Sequence, residues 1–551
     1  MIKVEDLFAA LVAASLTVAG CGGGQVEKPP VPDNPTAPPA PATQDEVFKY
    51  EPAAVQGMRF EPQALGLPGM WKISIPKRAS LKKQRRIAAK AKASVPDLQI
   101  LAGLAWQESR AVAAKARKEP DDAKKATLDE QVTALRTEVR DALRKAYEKA
   151  GEGKADEVTL KLLSVADLTL GDQDAAAKDY AEIAQRFAAE GATNAKIWLT
   201  NIYLQQNKLA DAAKVVEGWK PEAPMDPMGA YVLGWVRFRQ RNYAEATPAI
   251  VYAAKGWKSA TGKRVVQNDT LLFLSRAGTP VDQAAPVVTA MIGDDKGEQY
   301  KALYNLSKGY EFSGYEDLAA GTLKMLLEGK VQPVPARDQV IFRAELAYDS
   351  LKIGDPAGCA DAAIAAHQKL AECGDACKQD AANMTNAIKT YATLLHTLYA
   401  HSLDETYYTA AKKLYDYYLA IPDQQDTDVL KGYASRLEDT KANADPSKGK
   451  LDKDETAKLL GLRRNAGKAC YESVLGTEPD LAGTVTLTVQ VADTGEVKGA
   501  VSDPAKGAEG LAAVGGCLVD RAKAWRFPGR TLKGVTALVQ PFNLSPAPAK
   551  Q

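Results

Sequence analysis

The sequence predicts a mainly α protein, in which an α-solenoid of repeated helical pairs precedes a small α+β domain. Two windows in the middle of the chain align at an offset of about 34 residues, a length typical of a repeated pair of helices. Near residue 485 the hydrophobic residues change to strict alternation, which is the period of a half-buried strand. Hydrophobic residues make up 46% of the 551-residue chain and charged residues 25%, so the composition is that of a globular protein.

The charge balance excludes one class of function, and the scarcity of reactive residues argues against another. Lys and Arg number 71 and Asp and Glu 69, and this net charge of +2 is spread too evenly for an obligate nucleic-acid binder. Three His and six Cys leave few metal ligands or nucleophiles, and neither HExxH nor GxSxG occurs. We therefore expect no enzymatic activity, cofactor, metal, nucleic-acid partner or small-molecule substrate.

The N-terminus has the pattern of an export signal. Leu7 to Val18 is apolar but too short to span a bilayer as a helix, and Val18 to Cys21 resembles a bacterial lipobox. Residues 1–20 are therefore predicted to be a lipoprotein signal peptide. Cys21 is predicted to carry two or more acyl chains, such as palmitate, which is enough for stable anchoring. Gly22 favours retention in the outer membrane, and the alternative is an ordinary secretory peptide with an incidental Cys.

A Pro-rich segment and a basic run follow the predicted lipidation site. Seven of the thirteen residues from Pro29 to Pro41 are Pro, which predicts a semi-rigid tether over residues 21–75. The run from Lys77 to Lys92 is rich in Lys and Arg and contains no aromatic residue, so stacking on bases is not supported. Its favoured interpretation is the solvated face of a helix. The alternative is contact with acidic lipid headgroups or an anionic envelope polymer.

Residues 76–442 contain the repeats. Leu199 and Ala212 recur one repeat length later as Leu233 and Ala246, in a pattern that resembles the tetratricopeptide repeat (TPR). Small residues suit the point where two helices cross, and stacked repeats form a groove that binds protein segments. The aromatic residues of the repeats are interpreted as core rather than ligand contacts. They are Tyr203, Trp235, Tyr243, Tyr310 and Tyr417.

Three cysteines lie close together near the end of this region. In an oxidising compartment, Cys373 pairs with Cys377, or Cys359 pairs with Cys377, and the third thiol stays free or pairs elsewhere. His367 lies between them, and a zinc site is the less favoured alternative.

Residues 443–456 are polar and form a predicted linker, and residues 457–546 form the α+β domain. The patterns predict a helix, a hairpin around a turn at 493–495, a second helix and a last strand. The predicted ranges are Glu455–Val474 for the first helix, Val485–Val491 and Val497–Val501 for the hairpin, Leu511–Ala522 for the second helix, and Val535–Leu544 for the last strand.

Several separated motifs of this domain resemble the AgmX/PglI-type C-terminal domain of myxobacterial envelope proteins, which is TonB-like. They are Ala469-Cys470-Tyr-Glu, Leu481-Ala-Gly483, Gly516-Cys517, Trp525-Arg-Phe527-Pro528 and Val539-Gln-Pro541-Phe542. On this likeness, a disulfide between Cys470 and Cys517 clamps the two helices together, Trp525 and Phe527 lie in the core, and the last strand offers an edge to a partner strand.

The combination of lipobox, TPR pattern and TonB-like tail resembles the AglT-like lipoproteins of the myxobacterial gliding machinery. The resemblance implies a scaffold lipid-anchored in the outer membrane and facing the periplasm, which binds envelope and periplasmic proteins of a motility complex. The alternative function is a TPR lipoprotein for outer-membrane protein assembly, secretion or cell-wall synthesis.

Overall fold

The computed structural model describes most of the chain beyond residue 78. The described residues are 48–49, 75–76, 79–151, 153–187, 189–222, 225–258, 260–378, 380–422, 424, 426–445, 447, 449, 459–475, 478, 480–504, 509–530 and 534–545. The predicted signal peptide, Cys21, most of the tether and part of the linker lie outside them. Within the described residues, no helix is both long and apolar enough to cross a membrane.

The chain divides into two compact units, and the first is Phe60–Thr270. Its helices are α1 (Leu81–Ala88), α2 (Val95–Ala116), α3 (Asp122–Ala150), α4 (Glu157–Thr169), α5 (Gln173–Arg186), α6 (Ala189–Gln205), α7 (Leu209–Val215), α8 (Pro227–Arg239), α9 (Tyr243–Gly256) and the first part of α10 (Ala260–Ala277). Helices that follow one another in the sequence pack on one another, α2 on α3 and α8 on α9 most extensively. Ala212 and Ala246, predicted to lie where helices cross, are fully buried.

The second unit joins Leu271–Gln551 with Met1–Arg59. After the end of α10 its helices are α11 (Val281–Ile292), α12 (Lys296–Phe312), α13 (Glu316–Leu327), α14 (Ala336–Ile353), α15 (Pro356–Cys373), α16 (Asp380–Ser402), α17 (Glu405–Leu419), α18 (Thr427–Ala442), α19 (Arg464–Leu475) and α20 (Glu509–Ala522). The mainly helical architecture with a small C-terminal sheet confirms the predicted fold class at this level.

Local sequence explains where many of these helices begin. An Asp or Asn side chain accepts a hydrogen bond from the backbone of the first turn, where helical N–H groups have no partner of their own. The capping residues of this kind are Asp121, Asp156, Asp172, Asp226, Asn242, Asp295, Asp355 and Asp404. A residue with positive φ precedes several of these caps and reverses the chain, as Gly171 does before Asp172 and Gly354 before Asp355.

The C-terminal sheet is built from three antiparallel strands, β2 (Gly483–Val491), β3 (Val497–Pro504) and β4 (Thr536–Ser545), with β2 in the middle. Alternate residues of β2 are buried, as the period of two requires. A two-residue strand, β1 (Phe48–Lys49), pairs in parallel with the end of β4. The first predicted helix of the domain is shorter than expected, because a turn at residues 462–463 separates α19 from the helical residues before it.

Two carboxylates of the first unit are buried beside Arg144, the cation that contacts both of them. Arg144 donates to Asp167 at 2.9 Å, and its other terminal nitrogen lies 3.8 Å from Asp179. Burial raises the pKa of Asp167 to about 6 and that of Asp179 to about 7, although Arg144 opposes the shift. One cation does not compensate two buried negative charges, so protonation of one carboxyl group stabilises this site.

The stability of the first unit is expected to fall as the pH rises from about 4 to about 7. Both pKa values are higher in the folded state than the ordinary value of 3.8, so the folded state binds these protons more tightly. The stabilisation is therefore complete below the unfolded pKa and is lost as the pH rises through the folded values. One proton removes the excess charge, and at about 1.4 kcal/mol for each unit of pKa the loss is on the order of 3 kcal/mol. Hydrogen exchange of α4 and α5, corrected for intrinsic rates, measures it.

The substitution Asp179→Asn keeps the shape of the pair and removes one charge, so it should flatten this pH dependence. Asp174→Asn is the matched control on the same helix, because Asp174 is exposed and Lys208 lowers its pKa through a hydrogen bond. An unchanged pH slope in Asp179→Asn would rule out the buried pair as the cause.

Candidate interaction site

The described cysteines form two disulfides. The sulfurs of Cys470 and Cys517 lie 1.98 Å apart and join α19 to α20, as the resemblance implies. Those of Cys373 and Cys377 lie 1.97 Å apart, which is one of the two local pairings expected from the sequence. Cys359 is a free, buried thiol. The lipidation site predicted at Cys21 lies outside the described residues.

The described residues around His367 do not provide the ligands that the alternative zinc site would need. Its two ring nitrogens lie 3.1 Å from the hydroxyl groups of Tyr417 and Thr385. Within the described part of the chain, no group of three or more His, Cys, Asp or Glu side chains is placed to hold a metal ion.

The C-terminal domain packs directly on the helices of its own unit. The Arg276 guanidinium at the end of α10 donates to the Glu472 carboxylate on α19 at 2.8 Å, and both side chains are almost fully buried. The same guanidinium donates to the backbone oxygen of Ala469 at 3.2 Å. An ion pair out of contact with water is stable only with such close geometry, so it fixes where α19 lies on α10.

The C-terminal domain also approaches the helices of the second unit closely at three further places. A Cβ atom on Gly314 would lie 2.5 Å from the Cα of Ala466, and one on Gly354 would lie 3.0 Å from Arg526. Both glycines also have a positive φ. A larger residue at either position would therefore be disfavoured by its backbone conformation as well as by the lack of space. The third contact is a hydrogen bond of 2.7 Å from the backbone N–H of Gly529 to Asp404, the cap of α17.

A cluster of buried charges lies in α12 and α14. Lys352 donates to Glu311 at 3.0 Å and lies 3.6 Å from Asp349, while Lys308 contacts Glu311 and Glu345. Burial alone would raise the pKa of Glu311, but the two lysines hold it at about 2. Burial raises the pKa of Asp349 well above its usual range despite Lys352. The carboxyl groups outnumber the lysines, and this imbalance favours protonation of Asp349.

Two arginine side chains of the C-terminal domain interact with residues at the start of α13. Arg463 is buried, donates to the backbone oxygen of Arg526 at 3.1 Å, and interacts electrostatically with Glu316 of α13. On α20, the Arg521 guanidinium lies 3.3 Å from the ring centre of Tyr315, in a cation–π contact. The domain is thus attached through charged side chains as well as close backbone contacts.

Among the described residues, neither outer edge of the sheet has a full-length strand partner, neither that of β3 nor that of β4. On its inner side β4 pairs along its length with β2, and on its outer side β1 pairs only with Leu544 and Ser545. Among the described residues, no strand covers the outer edge from Thr536 to Asn543. Val539 on this strand is 57% exposed, and the pairing places it in one row with Thr488 and the exposed Val501. An extended peptide could add a strand here and cover Val539.

The other predicted positions are mostly core. Trp235 and Tyr310 are fully buried, Tyr203, Tyr243 and Tyr417 are half-buried, and Trp525 and Phe527 are each 4% exposed. Sequence reasoning missed the residues that attach the domain, which are Arg276, Glu316, Asp404, Arg463, Glu472 and Arg521. Their only signal in the sequence is charge, which also marks any exposed helix face.

No model of a known protein family matches the chain, and no curated protein matches it.

The substitution Arg276→Met should loosen the C-terminal domain. It removes the close partner of the buried Glu472 carboxylate and leaves the longer contact of 3.9 Å to Lys468, and the loss of one member of a buried pair typically costs about 3 to 5 kcal/mol. Faster hydrogen exchange in α19 measures the effect, and adding Glu472→Met should restore most of the protection. Lys523→Met is the control, since the Lys523–Asp520 pair is well exposed and worth at most about 1 kcal/mol. Equal exchange in both single variants would mean that the buried pair does not hold the domain.

The two disulfides are expected to differ in their contribution to stability. Replacing Cys470 and Cys517 by Ser opens a loop of 47 residues and should cost about 4 kcal/mol, because the unfolded chain gains conformational entropy. The same change at Cys373 and Cys377 opens a loop of four residues and should cost about 2 kcal/mol. Denaturant unfolding of both double variants measures the difference, and equal losses would contradict the loop-length argument.

Proposed function

We propose that the protein is a noncatalytic scaffold lipoprotein, anchored in the outer membrane by acyl chains on Cys21 and facing the periplasm. It binds envelope and periplasmic proteins of a gliding motility complex. In this proposal the consecutive helices form a TPR-like solenoid, and the C-terminal domain provides a TonB-like second contact.

The open edge of β4 is the observation that carries the scaffold proposal. Within the described residues, it leaves the outer backbone groups of β4 from Thr536 to Asn543 without a strand partner, although Pro541 has no N–H to donate. The exposed Val539 side chain lies beside these groups. Backbone pairing gives affinity to such a contact, and the side chains beside it give specificity. Because this domain is held on the helices by buried charges, a partner bound to the edge is also connected to the helical part of the unit.

The membrane and motility parts of the proposal are supported by the sequence. The lipobox-like Val18 to Cys21 supports acylation, and the Pro-rich segment supports a spacer between lipid and folded domains. The motility complex rests on the combined resemblance of lipobox, repeats and tail motifs. The paired disulfides are compatible with an oxidising compartment such as the periplasm.

Deletion of the gene should abolish or slow single-cell gliding, and Cys21→Ser should have the same effect. Cys21→Ser removes the thiol that would carry the diacylglycerol, so metabolic labelling with palmitate and membrane fractionation should both lose the protein. Gly24→Ser is the control, because it changes a small residue near the site and leaves Cys21 in place.

Three outcomes separate the parts of this proposal. Normal movement of both mutant strains would remove the motility function, and an unlabelled wild-type Cys21 would remove the lipid anchor. Cross-linking from β4 should recover gliding proteins, whereas recovery of barrel-insertion factors would favour the function in outer-membrane assembly.

A further inference from the structure

The first described helix carries a concentration of positive charge that the scaffold function does not use. Residues 79–92 contain six Lys or Arg and no Asp or Glu, although the whole chain is nearly neutral. Lys77 and Arg78, which belong to the same run, lie outside the described residues. We define the basic patch by its exposed members, which are Lys82, Lys83, Arg86, Lys90 and Lys92.

The patch is held on folded structure. Gln84 on the inner side of α1 is buried and donates to the backbone oxygen of Asp97 at 2.8 Å. Arg85 makes two hydrogen bonds of 2.6 Å with Glu138 on α3. Lys149, at the end of α3, donates to the backbone oxygen of Ala91 at 3.4 Å and so places a further cation beside the basic patch.

The patch residues themselves have no anionic partner among the described residues. Arg85 uses the nearby Glu138, and Asp97 is hydrogen-bonded to Ser94 at the start of α2. Like charges that share one exposed surface repel one another, and a nearby anionic surface removes this cost. The arrangement therefore favours an anionic partner.

The chemistry of the patch distinguishes the kinds of anion. Four of its five members are lysines, which act as point charges rather than as bidentate forks for one phosphate. No aromatic side chain accompanies them for stacking on bases. The members are spread along α1 and the turn after it, so they suit an extended anionic surface rather than a single small ion.

We propose that the basic patch binds the anionic phospholipid headgroups of the membrane in which the protein is anchored. This step rests on the proposed function for its location, because an acylated Cys21 would tie the chain to the bilayer 59 residues before Ser80, and α1 is the described helix nearest to that anchor in the sequence. A lipid anchor combined with a polybasic surface is a common way to hold a protein close to a bilayer. The patch orients the first helices towards the lipid.

The test uses the mature chain from residue 21 with Cys21→Ser, so that binding does not depend on acylation. Sedimentation with mixed vesicles, in which phosphatidylglycerol replaces a third of the phosphatidylcholine, is compared with sedimentation with pure phosphatidylcholine vesicles. At low salt we expect binding to the anionic vesicles only, and its loss at high salt because the charges are screened. The triple variant Lys82→Glu, Lys83→Glu, Arg86→Glu should weaken binding by about tenfold or more.

A second triple variant controls for net charge. Lys258, Lys263 and Arg264 are also exposed, have no ion pair among the described residues, and belong to the same unit. Their replacement by Glu changes the net charge equally and should leave most vesicle binding in place. Circular dichroism shows whether each variant is folded, and Lys82→Gln, Lys83→Gln, Arg86→Gln provides a milder change at the patch.

Several results would overturn the proposal. They are equal binding to both kinds of vesicle, equal loss in both triple variants, and binding to soluble anionic envelope polymer without binding to anionic vesicles. Failure here leaves the palmitate labelling of Cys21 unaffected. Conversely, an unacylated Cys21 leaves the vesicle result intact, so the two proposals fail separately.

Discussion

The ion pair between Arg276 and Glu472 is the interaction on which the second unit depends most. Both side chains lie in the interior, where an unpaired charge is far more costly than in water. The pair joins residues 196 positions apart, so it forms only when the helices and the C-terminal domain are already arranged correctly. Neighbouring contacts depend on the same arrangement. Ala466 packs so closely on Gly314 that a Cβ atom on Gly314 would lie 2.5 Å from the Cα of Ala466. The domain and the helices from residue 271 onwards are therefore parts of one unit.

Local elements could be predicted from the sequence, because their causes are local. Alternation from Val485 to Val491 predicted a strand with one buried face, and the structure places those alternate residues in the core. Small residues recurring at the repeat period predicted close packing, and Ala212 and Ala246 are buried. The last strand was predicted at Val535 and begins one residue later, within the usual uncertainty of element ends.

The attachment of the domain could not be predicted in the same way. Arg276 lies near the end of a helix, where a basic residue is common because it complements the helix dipole. Nothing in its neighbourhood shows that its partner lies 196 residues later. The same holds for Asp167 and Asp179, whose pKa values are raised mainly by burial, which depends on how the helices pack. In each of these cases the sequence shows only a charged side chain, and its burial in a pair depends on which helices pack together in the folded chain.

This attachment changes how the proposed scaffold would transmit force. If the domain were joined only by the polar segment at 443–456, a partner pulling on β4 would extend the linker before it moved the helices. The buried pair, the close contact at Gly314 and the hydrogen bond from Gly529 to Asp404 provide a shorter connection. Load applied at the sheet edge therefore reaches α10, α12 and α17 through packed side chains and backbone. Separating a buried ion pair is also costly, because each charge loses its partner while it is still out of contact with water. Under the proposed function, in which the protein links a membrane to a moving assembly, such a connection would transmit a pull with less extension than a flexible linker.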